Sequence, residues 1–183
     1  MSRIPTPTSI DTSPAASQPL LQAVNRQLGS VPNLFRLVGN SPAALEGYLS
    51  MSGALAKGAL PAATRERIAL AVAEINGCNY CLAAHTYLGR NLAKLGDDEM
   101  IANRGGASID AKADAAVRFA AAVAHERGHV GEAALQAVRA AGYTEAQIVE
   151  IVTHVALNTL TNYINEVGAT DIDFPKAAPL HAA

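Results

Sequence analysis

Residues 61–95 read PAATRERIALAVAEINGCNYCLAAHTYLGRNLAKL. Pro61 suits the first turn of a helix, and Ile68, Leu70, Val72 and Ile75 carry the apolar positions onward until Asn76-Gly77 breaks the segment. A second helix is predicted from Cys78 to Leu95, stopped at Gly96. Two helices on either side of a two-residue break form a helical hairpin. Both cysteines of the chain lie just after the break.

The same signals recur outward from this hairpin. Leu20, Leu21, Val24 and Leu28 mark a short helix ended by Gly29, and Ser41-Pro42 opens another that runs to about Lys57-Gly58. Asp97 and Asp98 begin a short helix closing at Gly105-Gly106. An alanine-rich segment from Ser108 to Glu126 follows, then one from Val130 to Ala141. Thr144 with Gln147 is a capping box for a long last helix reaching Val167. Nothing alternates apolar and polar residues over strand length, so the predicted fold class is all-α. Composition agrees. About a fifth of the 183 residues are alanine, the strongest helix former, and half the chain is apolar. Segment 148–167 also lies over 67–84 with similar phasing, Asn162-Tyr163 echoing Asn79-Tyr80, which suggests an internal duplication.

A net charge of −2 argues against a nucleic-acid partner, and no apolar run approaches the roughly 18 residues of a membrane span. The first residues have no apolar signal core, so the expectation is a cytoplasmic protein with reduced thiols. The proline-rich stretch 1–18 is expected to be a flexible N-terminal arm, 19–175 the helical domain and 176–183 a tail. Small apolar residues on many helices, together with such an arm, suit a homo-oligomer.

Cys78-Asn79-Tyr80-Cys81-Leu82-Ala83-Ala84-His85 is the stretch that carries chemistry. On a helix, positions 78 and 81 put their Cα atoms roughly 5 Å apart, within the range of a disulfide. Cys81 and His85 share a face, and thiols in a first turn meet the free N–H groups that favour thiolate. Glu66 lies ten residues before the break and His85 eight after Gly77. Folding back brings them level to within about 3 Å, across an interaxial gap of roughly 8–10 Å that the two side chains bridge. A thiol, a base and an orienting carboxylate make an activated nucleophile.

Blander readings exist for each residue. The two cysteines also suit a helix core, or, with His85 and Glu66, a zinc site, though no second cysteine pair supplies the usual knuckle. Covalent haem fails because Leu82 follows Cys81. Glu66, between Arg65 and Arg67, by itself reads as a surface charge, His85 by itself as a core histidine, and Tyr80 as packing. His154, Asn158, Thr161, Asn162 and Asn165 form a polar seam expected to hydrogen-bond neighbouring helices or a subunit, with a supporting role near the cysteines as the second reading. His125 and His129 suit a helix end, and His181 belongs to the tail.

Glu66, Cys78 twelve positions on, Cys81 and His85 together resemble the signature of the AhpD-like alkylhydroperoxidases, a branch of the carboxymuconolactone decarboxylase superfamily. Val31-Pro32-Asn33-Leu34-Phe35-Arg36, Ser41-Pro42-Ala43, Asn162-Tyr163-Ile164-Asn165 and Asp173-Phe174-Pro175 are similar to its peroxidase-related members, over about residues 20–175. The resemblance implies an AhpD-like helical bundle assembling as dimers, trimers or hexamers. It also implies a thiol-dependent peroxidase reducing hydroperoxides, with no cofactor and no metal. Cys81 would attack, Cys78 would donate a proton and resolve the sulfenic acid, and Glu66 with His85 would relay protons. A lipoylated or thioredoxin-like dithiol protein would be the reductant. Where the best-known members have histidine directly before the second cysteine, this chain has Tyr80. Tyrosine, with a pKa near 10, shuttles protons less readily at neutral pH. The alternatives are a decarboxylase of a muconolactone-type acid, or a non-enzymatic redox-sensing or zinc-binding oligomer.

Overall fold

A computed structural model of the chain describes residues 2–180, so His181 lies outside the described residues. Among them the elements are α1 (Gln18–Leu28), α2 (Asn33–Val38), α3 (Pro42–Leu55), α4 (Ala62–Ile75), α5 (Asn79–Asn91), α6 (Asp97–Arg104), α7 (Ala111–His125), α8 (Glu132–Ala140) and α9 (Glu145–Gly168). A 3-10 turn at Ala15–Ser17 precedes α1, and no strand occurs among the described residues.

Local chemistry sets most boundaries. Ser41 accepts from Ala44 N ahead of Pro42, Asp110 accepts from Ala113 N, and Thr144 and Gln147 complete the capping box of α9. The six-residue α2 has no counterpart in the sequence reading, because a segment that short shows no helical period. The supposed duplication finds no structural echo. Segment 67–84 is two helices broken at Asn76-Gly77, whereas 148–167 is continuous, so Asn79-Tyr80 opens a helix and Asn162-Tyr163 sits inside one.

α4 is the axis of the bundle, packed against α5, α6, α7 and α9. Residues 68–73 are all buried, alternating alanine with Ile68, Leu70 and Val72. A helix apolar on every side belongs in the centre, and its alanines let neighbours approach closely. One core unites α4 with α7, α8 and α9 through Ile68, Phe119, Val138 and Ile151. A second gathers Leu21, Leu34, Leu45, Tyr80 and Leu82 around the two cysteines.

The N-terminal stretch lies along its own chain. Arg3 N donates to Gly168 O (2.6 Å), Asn40 Nδ2 to Pro5 O (2.9 Å) and Ser17 Oγ to Gly39 O (2.7 Å). These bonds tie the stretch to the end of α9 and to the residues just after α2. The C-terminal stretch also turns inward. Asp173 accepts from Asn33 N (2.7 Å) at the start of α2, and Arg104 donates to Ala178 O (2.7 Å). No helix of the described residues is long and apolar enough to cross a membrane.

Ile151 is fully buried where α9 meets α4 and α7. Ile151→Ala is expected to cost about 2–5 kcal/mol, read as a lower denaturant midpoint at unchanged slope.

Candidate active site

The break after α4 decides how the thiols meet. Gly77 takes the left-handed conformation (φ +65°), which glycine adopts at no steric cost, and turns the chain through about one residue. Cys78 follows in extended conformation as the N-cap of α5, and its Sγ accepts from Cys81 N at 3.4 Å. The sequence reading put both thiols within the first turn. Instead Cys78 stands just before the helix and folds its sulfur over that turn, because a capping residue has non-helical backbone and aims its side chain at the third amide. Both cysteines are free thiols and both are buried.

His85, one turn after Cys81, meets Glu66 of α4: Nδ1 lies 2.9 Å from Glu66 Oε2. The helical hairpin therefore delivers the acid–imidazole contact that counting residues predicted. The flanking arginines leave the carboxylate to the histidine. Arg65 donates to the carbonyls of Leu55 and Ala56, and Arg67 binds Glu99 (2.5 Å).

Electrostatics separate the two thiols. The hydrogen bond from Cys78 is the largest influence on Cys81. Burial opposes it, and the charge of His85 and the amides of Asn165 and Asn162 add to it, so the thiol falls from 9.0 to about 6. Cys78, as the donor of that bond and buried, is pushed far above its ordinary value. Cys81 is thus the thiolate and Cys78 the thiol. Burial draws His85 down, but the carboxylate of Glu66 more than offsets it, and the imidazole stands above its ordinary 6.5.

Two residues of α9 complete the surroundings. Asn165 Nδ2 donates to Cys81 Sγ (3.2 Å), and Asn162 Oδ1 accepts from Asn76 Nδ2 (2.8 Å). The polar seam thus does both things the sequence suggested: Asn162 bonds a neighbouring segment, and Asn165 reaches the thiol. Tyr48 of α3 also feels the charges of Cys81 and Glu66, although burial is the main cause of its raised pKa. Nothing in the sequence marked it. His154 belongs to the same seam but is drawn down to about 4 by burial, with Arg65 adding to the effect, and so is neutral at pH 7.

Tyr80 has a structural post. Its hydroxyl donates to Asp173 Oδ1 (2.8 Å) and accepts from Leu34 N (3.1 Å), and its ring meets Phe174 edge-on. Burial is the main reason its pKa lies well above the ordinary value. Among the described residues no group of three or more His, Cys, Asp or Glu is placed to hold a metal ion.

This arrangement has relatives. The profile of the carboxymuconolactone decarboxylase family matches residues 42–126, from the start of α3 past the end of α7. The crystal structure of an alkylhydroperoxidase AhpD core, an uncharacterized peroxidase-related protein of Ralstonia eutropha JMP134, superposes with a TM-score of 0.83 at 27% identity over 94% of this chain and 92% of that one. The chain thus carries the carboxymuconolactone decarboxylase profile over its middle, and its fold as a whole is similar to that of AhpD-like, peroxidase-related proteins. An uncharacterized peroxidase-related protein of Silicibacter sp. TM1040 gives 0.77 at 27% identity over 91% of each chain. The debrominase Bmp8 shares the fold, with a TM-score of 0.75 at 20% identity over 92% of this chain and 91% of its own. No curated protein matches in sequence.

Replacing Asn165 by Leu keeps the volume and removes the donor to Cys81. The thiolate absorbance at 240 nm should then titrate higher, by about one pH unit, while Cys78→Ser, which offers a weaker acid as donor, should move it in the same direction.

Proposed function

We propose that the protein is a thiol peroxidase that reduces hydroperoxides through Cys81 and Cys78. The observation that carries this reading is the split between the two sulfurs. Cys81 is held as thiolate by the thiol of its own helix cap, beside an imidazole already paired to a carboxylate. The thiolate attacks the distal oxygen of the peroxide. The S–O bond forms, the O–O bond breaks, and the departing alkoxide takes a proton from the protonated His85, which Glu66 stabilises. The resulting sulfenic acid condenses with the Cys78 thiol, releasing water and leaving a Cys78–Cys81 disulfide. An external dithiol protein, lipoylated or thioredoxin-like, reopens it by exchange. The peroxidase-related neighbours at 27% identity support the class of reaction, while the debrominase on the same fold shows that the chemistry of the site, not the fold, has to carry the assignment.

We also propose that the working form is a homo-oligomer built on the outer face of α9. Val149, Val152, Ala156, Leu160, Tyr163 and Val167 recur at three- and four-residue spacing and are all exposed. That stripe of exposed valine, leucine and tyrosine runs the length of the helix, an apolar face of the kind that a second copy would cover. Leu160→Glu should shift the assembly toward monomer in sedimentation velocity while the far-ultraviolet dichroism stays helical.

Stopped-flow mixing of the reduced protein with hydroperoxide tests the chemistry. Two thiols should be lost per chain in the wild type. Cys81→Ser should abolish the loss, and persistence of full thiol loss in that variant would refute the assignment. Since the folded pKa of Cys81 is depressed, its thiolate is the major form above about pH 6. The observed rate should climb with pH up to that point and level off above it, rather than rising through the range of an ordinary thiol.

A further inference from the structure

Two amide groups beside Cys81 are left with open valences, and their arrangement is specific. Asn162 and Asn165 are fully buried, at 0% and 2% exposure. The carbonyl end of Asn162 is occupied by Asn76, which leaves its Nδ2 as the free end. The amino end of Asn165 is occupied by the Cys81 sulfur, which leaves its Oδ1 free. Neither free atom has a hydrogen-bond partner among the described residues. Unpaired buried amides are rare in folded proteins, and a matched donor and acceptor beside a reactive sulfur mark a place for a small polar group. Asn165 reaches the Cys81 sulfur at 3.2 Å, and Asn162, three residues earlier, shares that buried face of α9.

We propose that Asn162 Nδ2 and Asn165 Oδ1 form the binding site for the hydroxyl group that a hydroperoxide delivers to Cys81. This rests on the peroxidase reading above and adds a catalytic role for residues outside the four-residue motif. The distal end of a hydroperoxide is an O–H with free lone pairs, so it needs one donor and one acceptor. Asn162 Nδ2 donates to a lone pair of that oxygen, and Asn165 Oδ1 accepts its hydrogen. As the O–O bond breaks, two electrons pass from sulfur to the peroxide. The hydroxyl stays on sulfur as the sulfenic acid, and the alkoxide leaves with a proton from His85. The amide pair holds that hydroxyl through the transfer and afterwards, until Cys78 displaces it as water. Asn76 acts as a positioning residue, since its bond to Asn162 Oδ1 decides which end of that amide faces the sulfur.

The test uses the full-length protein in a Cys78→Ser background, where the sulfenic acid cannot condense. Reduced protein is mixed with hydrogen peroxide or cumene hydroperoxide over a series of pH values from about 6 to 10, since Cys78→Ser itself moves the Cys81 titration upward, and the sulfenic acid is trapped with dimedone and measured by mass spectrometry to give a midpoint and a plateau rate. Asn162→Ala should lower the plateau rate of sulfenic acid formation about tenfold and shorten the lifetime of the product. Asn76→Ala should lower the rate in the same direction by less. A purely structural or thiolate-stabilising role would move the pH midpoint and leave the plateau unchanged, so plateau rates within about twofold of the parent overturn the inference. Should Asn162→Ala fail to fold by circular dichroism, Asn76→Ala decides, because it lies outside α9. If the parent itself forms no sulfenic acid, the peroxidase reading falls together with this one. If the parent forms it and the variants match it, only the amide site falls.

Discussion

One side chain orders the chemistry of this molecule: the Cys78 sulfur, which accepts from the Cys81 amide as the cap of α5 and is also the largest influence lowering the Cys81 thiol. Cys78 sits where the chain leaves the left-handed turn at Gly77 and enters the helix, so its sulfur faces the first turn rather than solvent. Cys81 is three residues on, at the amide that a capping side chain reaches. Because one sulfur donates, the other is held as anion, and the two thiols acquire opposite characters although both are buried in the same apolar cluster.

Everything else at the site protects or supplies that bond. α4 brings Glu66 to His85, and the arginines on either side of Glu66 are drawn off to other partners, which keeps the carboxylate for the imidazole. Tyr80, between the two cysteines in sequence, works away from them. It ties the start of α5 to Leu34 of α2 and to Asp173 of the C-terminal stretch. Tyr80 is thus a buried strut, and the proposed proton relay would rest on one histidine and one carboxylate.

α9 is amphipathic in the unusual sense. Toward the core it presents His154, Asn158, Thr161, Asn162 and Asn165, all buried, and toward solvent it presents valine, leucine and tyrosine. A buried amide is costly unless it is used, and an exposed apolar stripe is costly unless it is covered. Of the inward amides, Asn162 and Asn165 act on Cys81, and the outward stripe would suit a second copy of the chain. Catalysis and assembly would then be built on opposite sides of one helix.

The helical class was legible in the sequence because alanine content, glycine stops and capping residues act within a few positions of one another, and local forces need no tertiary context. The contact between Glu66 and His85 was legible for the same reason, since a hairpin of regular helices converts residue counts into distances. The role of Cys78 as cap was not, because a cap is defined by the backbone of a single residue, and the spacing alone placed it inside the helix. Nor was Tyr48, 33 positions from Cys81, while Asn162 and Asn165, 81 and 84 positions away, were legible only as a polar seam whose second reading was a supporting role near the cysteines, and they reach Cys81 because α9 packs against α5. Sequence determined the elements and the reactive pair. The backbone at Cys78 decided which sulfur is lowered, and the packing of distant helices decided what surrounds it, because electrostatics in a buried site depends on neighbours in space as well as along the chain.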